Sequence, residues 1–370
     1  MGVDIHRVKV VKVNRSYKLR LYGNDVKTDT VRYAHSRFLQ WCQMWSGRLL
    51  FNGNKYSSTQ GLGSIAHKAQ YKAKGIISAL KAAAKETGNK TNIPNLKNVG
   101  MPAKIETSKT PSFDYWVRVG NEWTKKGVVR LPAKAHKALN KALKEGWKLS
   151  SQCEVKPING EWFALLFVSK EVEKATAQPK SMGADVGINK AVTTSDGYKG
   201  TDLKPIIDKV KESGRERYRQ RMKFKQIQTL KRGKKDKSIV KQILDLEAKL
   251  FMKRLKKSGA NAVVESRKSI ANLRSGRLAK WARCYFANRM ETLCKENSVF
   301  FLEVSPWKSS LTCASCGEEG KRQQEVFVCS KTSCSEYLRE ADADLNASRE
   351  LRNRGHLAVE RYFSSALRGV

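Results

Sequence analysis

Four cysteines in two tight pairs constrain this chain more than any other feature. Cys313-Ala-Ser-Cys316 and Cys329 to Cys334 are separated by a short loop. That is the spacing of a tetrahedral zinc site, in which each pair forms a knuckle with both thiolates aimed at one ion, about 2.3 Å per Zn–S bond. The expected ligands of one structural Zn²⁺ are Cys313, Cys316, Cys329 and Cys334. Directly afterwards comes Asp342-Ala-Asp344-Leu-Asn346-Ala, at the mouth of a helix predicted over 345–352. The remaining cysteines, Cys42, Cys153, Cys284 and Cys294, fall singly in apolar patterns and are read as buried hydrophobes.

An acid beside a metal-built knuckle stands out because the chain is so basic. Its 370 residues, enough for two or three domains, carry 73 Lys+Arg against 34 Asp+Glu, a net charge of +39. A surface so charged repels itself unless a polyanion shares it, and RNA or DNA is the usual partner. No run of about 18 apolar residues is present to span a membrane. The N-terminal residues MGVDIHRVKVVKVNRS lack the apolar stretch of a signal peptide. The expected location is therefore reducing and intracellular, cytoplasmic or nucleoid-associated, where eight cysteines favour metal over disulfides.

The pattern along the chain changes several times. Residues 5–21 alternate apolar and basic positions and predict one or two strands. From Asp25 the period turns helical, with Val31, Ala34, Phe38, Trp41, Cys42 and Trp45 on one stripe, read as packing. A second helix over 62–85 presents a lysine face suited to phosphate contact. Strand character is expected from Ser112 to Lys170, with a hairpin turn at Asn159-Gly160 and a short helix over 133–145. Residues 171–180 read as a linker.

Beyond it, three carboxylate positions draw attention. Asp185 ends the apolar run Ser181-Met-Gly-Ala, where an acid is costly to bury without a cation. Glu265 ends Ala260-Asn-Ala-Val-Val, and Glu303 lies in a comparable run over 299–306. The third position is Asp342 or Asp344, either of which also suits a helix cap worth about 1 kcal/mol. Between Thr201 and Ala260 stand 20 Lys+Arg and 7 Asp+Glu. Lys231, Arg232, Lys234 and Lys235 are expected in a loop between two helices that tracks a nucleic-acid backbone. Arg274, Arg277 and Lys280 lead the next helix, where their charge opposes the helix dipole and suggests a nearby anion.

These motifs in this order resemble TnpB, the transposon-encoded RNA-guided nuclease family related to the miniature type V CRISPR effectors. The zinc pairs and Asp344-Leu-Asn346-Ala resemble its last RuvC-type motif, Ser181-Met-Gly-Ala-Asp185-Val-Gly-Ile-Asn its first, and the strand ending in Glu265 its second. Ser266-Arg267 departs from the Asp-Leu usual after that glutamate. Lys18-Leu-Arg-Leu-Tyr22 resembles the family's opening strand. The resemblance selects Glu265 over Glu303 and Asp344 over Asp342.

It implies a multidomain α/β fold with a β-barrel-type wedge domain (1–24 and 96–175) carrying a helical recognition insert (25–95). An RNase H-like, RuvC-type nuclease domain (181–310 and 338–370) would follow, interrupted by a zinc knuckle (311–337) for target nucleic-acid binding. The implied activity is RNA-guided cleavage of DNA beside a short adjacent motif. Asp185, Glu265 and Asp344 would hold two Mg²⁺ ions about 4 Å apart for phosphodiester hydrolysis. The partners would be a guide RNA and target DNA, bound by a monomer or a guide-bound dimer. Two alternatives are a nuclease-inactive RNA-guided repressor, which should have lost part of the carboxylate set, and a guide-free resolvase, which leaves the first 175 residues unexplained.

Overall fold

The computed structural model describes residues 10–51, 64–87, 99–119, 128–187, 189–206, 232–270 and 277–368, with 96, 208, 212 and 216. The chain forms two compact units, one of residues 12–171 and one containing the residues from 172 on.

The frame of the first unit is a six-stranded sheet in the order β1-β6-β5-β2-β3-β4. Its strands are β1 (Val10–Arg20), β2 (Met101–Thr107), β3 (Tyr115–Val119), β4 (Val129–Ala133), β5 (Lys148–Ile158) and β6 (Glu161–Glu173). Asn159 and Gly160 turn β5 into β6 with φ of 53° and 85°. Two positive φ values are what a two-residue type I′ turn needs, so the Asn-Gly signal is met. Past β1 the chain stays bonded to β6 and reaches the far edge of the sheet: Leu21 N donates to Trp162 O at 2.9 Å and Tyr22 N to Pro132 O of β4 at 3.0 Å. The free edge of β4 is thereby partly paired, which blunts a surface that would otherwise recruit another strand.

Two long helices, α1 (Asp25–Phe51) and α2 (Ser64–Thr87), pack against each other. Trp45, Ala73 and Ile77 form their shared core, with Trp41 and Leu80 against it, so the tryptophan stripe is packing. Lys72 of α2 pairs with Glu154 of β5. A third helix, α3 (Lys137–Lys144), is capped by His136, whose Nδ1 accepts from Leu139 N at 3.2 Å.

The second unit is built on a four-stranded sheet in the order β10-β9-β7-β8. Here β7 (Ser181–Asp185), β9 (Asn261–Glu265) and β10 (Phe301–Val304) run parallel, and β8 (Thr193–Thr194) is antiparallel to β7. Helices α4 (Arg232–Ser258), α5 (Arg267–Ile270), α6 (Arg277–Glu296) and α7 (Ala343–Arg368) surround it. A small antiparallel sheet of β11 (Lys321–Gln323), β12 (Val326–Val328) and β13 (Glu340–Asp342) precedes α7.

Side chains alternate across a strand, so the two faces can be separated residue by residue. Met182 and Ala184 of β7 and Ala262 and Val264 of β9 join the main core with Leu244 and Phe251 of α4 and Phe286 and Met290 of α6. The opposite face carries Gly183, Asp185, Val263 and Glu265, and against it lies α7. A Cβ on Gly183 would stand 2.1 Å from Ser348 O and 2.7 Å from Arg352 N, and one on Gly355 would stand 2.4 Å from Val263 Cγ2. Helix α7 thus rests on β7 and β9 at a distance only glycine permits.

Several expectations need correction. Residues from Arg232 on are helical, not a loop: one glycine among good helix formers does not stop a helix that packs from Val240 onward. Strand β2 precedes the expected return of strand character at Ser112; Pro102 and its charged neighbours mask its alternation. Helix α7 extends from Ala343 to Arg368, well past 352. Cys284 is only half-buried, since it shares a face of α6 with Asn288 and Glu291, both bonded to Arg267.

Two glycine substitutions should therefore differ in sign. Gly183→Ala should destabilise the protein by about 3 kcal/mol, since the new methyl meets backbone that cannot yield. Gly75→Ala, in α2 with nothing within 4 Å, should stabilise by up to about 1 kcal/mol. Denaturant unfolding of both variants checks the contrast.

Candidate active site and metal centre

Strands β7 and β9 are parallel neighbours in a register that pairs Ala184 with Val264, so Asp185 and Glu265 follow side by side at their carboxyl ends. Both strands are buried almost throughout, and both end in an acid, 7 % and 6 % exposed. The carboxyl ends of parallel strands are where open α/β sheets build their sites. On the same face the first turn of α7 brings Asp344, whose Oδ2 lies 3.5 Å from where a Cβ on Gly187 would be, against the turn after Asp185.

Two arginines flank the three acids. Arg322 of β11 donates to Asp344 Oδ1 at 3.0 Å. Arg283 Nε stands 3.2 Å from Glu265 Oε2, but its hydrogen is directed at Val186 O, 3.0 Å away. Glu265 Oε2 is consequently a buried oxygen with no hydrogen-bond donor. Burial pushes the Asp185 carboxyl well above its usual range, the charges of Glu265 and Asp344 push it further, and Arg283 and Arg322 oppose. Burial raises Glu265 likewise, against the pull of Arg283. Two buried acids and a half-buried third, with Asp185 repelled by the other two and one oxygen orphaned, fit a hard divalent cation, which takes oxygen ligands and removes the repulsion.

The rival acids have other partners. Asp342 caps α7: its Oδ1 accepts from Asp344 N at 3.0 Å and Leu345 N at 2.9 Å, and Lys199 pairs with Oδ2. Burial opposes, but Lys199 and these amides hold the Asp342 carboxyl below its usual range. Glu303 pairs in register with Val264, which puts it on the opposite face from Glu265. There both its oxygens are taken by Arg267, at 2.6 and 3.1 Å.

The cysteine ligand atoms of Cys313, Cys316, Cys329 and Cys334 all lie within 4.8 Å of one another. Sulfur separations of 3.9 Å (Cys313–Cys334) and 3.7 Å (Cys316–Cys329) match the edge of about 3.8 Å expected for sulfurs around a tetrahedral zinc. All four positions are filled by thiolates, so the cluster fits a structural Zn²⁺ with no open place for a reacting group.

The expected nucleic-acid contacts are less visible. Lys231 and Arg274 lie outside the described residues. Arg232, Lys234 and Lys235 fall in α4 and Arg277 opens α6, described in their backbone alone. Lys280 is half-buried in α6. In the first unit, a cleft of about 560 Å³ is lined by Lys12, Lys68 and Lys72 and by Tyr71 and Phe167. Tyr71 is 75 % exposed, an aromatic face beside cations. Sequence patterns do not reveal Arg283 and Arg322, because an arginine in so basic a chain carries no signal until its partner is known.

Two outcomes are expected. Cys313→Ser should lower bound zinc from about one per chain to near zero and open residues 311–337 to protease, read by metal analysis and limited digestion. For Asp185, a carboxyl raised in the folded state costs stability progressively as pH climbs from about 3.8 towards its folded value. Without added magnesium, Asp185→Asn should therefore raise Tm at pH 7, and the gain should fade near pH 4. A gain equal at both pH values would remove the buried charge as its cause.

The family model of the Cas12f1-like TNB domain matches residues 284–351. No curated protein matches the chain. Among solved structures, the cryo-EM structure of the Cas12f1–sgRNA–target DNA complex is 13 % identical with a TM-score of 0.58, covering 93 % of this chain and 99 % of that chain. The mini-RNA-guided endonuclease CRISPR-Cas_phi3 is 10 % identical with a TM-score of 0.42, covering 94 % of this chain and 92 % of that chain. The matched domain and the fold shared with Cas12f1 bear out the resemblance to the TnpB-like miniature type V effectors.

Proposed function

We propose that the protein is an RNA-guided DNA endonuclease with a RuvC-type nuclease domain, preceded by a barrel-type wedge domain with α1 and α2 as its helical insert. The observation that carries this reading is the convergence of Asp185, Glu265 and Asp344 on one face, with Glu265 Oε2 buried and lacking a donor. The complete carboxylate set favours an enzyme over a repressor.

Each residue then has a task. Asp185 and Glu265, held by adjacent strands, and Asp344, held by the capped first turn of α7, would bind Mg²⁺. When bound, two such ions polarise the attacking water and stabilise the leaving oxygen of an in-line phosphodiester displacement. Arg322 and Arg283 occupy the margin of the site and offset the carboxylate charge in the cation-free protein. The cysteine cluster would hold Zn²⁺ and shape the strands that deliver Arg322. Guide RNA and target DNA are the partners of the similar Cas12f1 complex. Here the net charge of +39 and the lysine-lined cleft with exposed Tyr71 support the same partners, with phosphate neutralisation supplying affinity and base pairing to the guide supplying sequence choice. Among the described residues, no helix is long and apolar enough to cross a membrane.

Cleavage of a guide-matched plasmid tests the assignment. Asp185→Ala, Glu265→Ala and Asp344→Ala should each reduce the rate by at least about 10³-fold while guide and target binding persist. Glu303→Ala should retain most activity if its tie to Arg267 is structural. An active Glu265→Ala variant beside an inactive Glu303→Ala variant would overturn the choice of strand.

A further inference from the structure

Helix α7 carries more than Asp344. Asn346, 7 % exposed, accepts from Ala314 N at 3.0 Å through Oδ1 and donates to Thr312 O at 2.7 Å through Nδ2. Two turns further, Asn353 Nδ2 donates to Ala314 O at 2.7 Å. Residues seven apart lie on one face of a helix. That face of α7 therefore grips the backbone on both sides of Cys313, a member of the four-cysteine cluster.

Asp344 and Asn346 are two residues apart, about 200° around the helix axis, and so point in nearly opposite directions. One reaches the carboxylates and the other the cysteine turn. The first turn of α7 is a strut between the two sites, fixed below by the close approach at Gly183 and Gly355. A second link runs through the small sheet, where Asn189 Nδ2 donates to Glu325 Oε1 at 2.6 Å and Ala343 N donates to Glu325 O at 2.8 Å.

We propose that Asn346 is a positioning residue that couples zinc at the cysteine cluster to divalent-cation affinity at the carboxylate site. The proposal rests on the two-metal reading of Asp185, Glu265 and Asp344. Without a cation the four cysteines lose the bonds that tie them to one centre, and the 312–316 turn relaxes. Through Thr312 O and Ala314 N that movement reaches Asn346 and tilts the turn bearing Asp344. The amide accepts from one backbone group through its oxygen and donates to another through its nitrogen, which neither a carboxylate nor a hydrocarbon side chain can do.

The test uses the full chain, with Mn²⁺ as the probe of the carboxylate site, followed by electron paramagnetic resonance, and zinc release to a chromogenic chelator. Asn346→Ala should keep about one zinc, release it about 10-fold faster and bind Mn²⁺ about 10-fold more weakly. Removing zinc from the unaltered protein should weaken Mn²⁺ binding by a similar factor and should add little to the defect of Asn346→Ala. Asn353→Ala, which leaves the first turn of α7 untouched, serves as the second variant should Asn346→Ala fail to fold, and should loosen zinc and Mn²⁺ together. Mn²⁺ binding that is indifferent to zinc removal, or normal in a variant with labile zinc, would overturn the coupling while leaving the carboxylate site intact. Mn²⁺ binding absent from the unaltered protein, or unchanged by Asp185→Ala, would instead overturn the two-metal reading and the proposal with it.

Discussion

The contact on which the carboxylate site depends is one without side chains. Gly183 lets the backbone of α7 approach β7 so closely that a methyl would stand 2.1 Å from Ser348 O, and Gly355 does the same opposite Val263. The two strands that pass under the helix are those ending in Asp185 and Glu265. A helix held that near cannot slide, and its first turn stays above the strand ends. A bulkier residue at either glycine would lift the helix, and Asp344 with it.

Burial decides which acids can serve. In the parallel part of the sheet both faces are covered, so a carboxylate there is costly unless something compensates it. Arg283 and Arg322 compensate in part, yet Asp185 is still displaced upward and Glu265 Oε2 has no donor. Asp342 and Glu303 instead have both carboxylate oxygens engaged by donors. The contrast sets the proposed site apart from Asp342, two residues from Asp344, and from Glu303, on the strand beside Glu265.

Much of this arrangement is legible in the sequence for physical reasons. Apolar runs ended by an acid are conspicuous because the strand interior excludes charge, so Asp185 and Glu265 stand out before any fold is known. Paired cysteines announce themselves by spacing, and Asn159-Gly160 by the positive φ both residues adopt. Other features depend on contacts between distant segments. Residue type alone does not distinguish Asp344 from Asp342; the helix boundary at Ala343 makes Asp342 the cap and leaves Asp344 to pair with Arg322. The basic run at 232–237 reads as a loop by composition, and packing from Val240 onward makes it helix. Arg322, Asn346 and Asn353 acquire meaning only when the small sheet and α7 meet.

The order of the elements along the chain sets when the site comes into being. Asp185 and Glu265 belong to strands made early in the second unit, whereas Asp344 arrives on α7, the last described element of the chain. Synthesis proceeds from the N-terminus at about 5–20 residues per second, and earlier elements begin to fold before later ones emerge. A nascent chain paused before residue 343 holds at most two of the three acids, and no shorter fragment ending there can assemble the site. Completion of the carboxylate set thus waits until α7 has been made, a delay built into the topology.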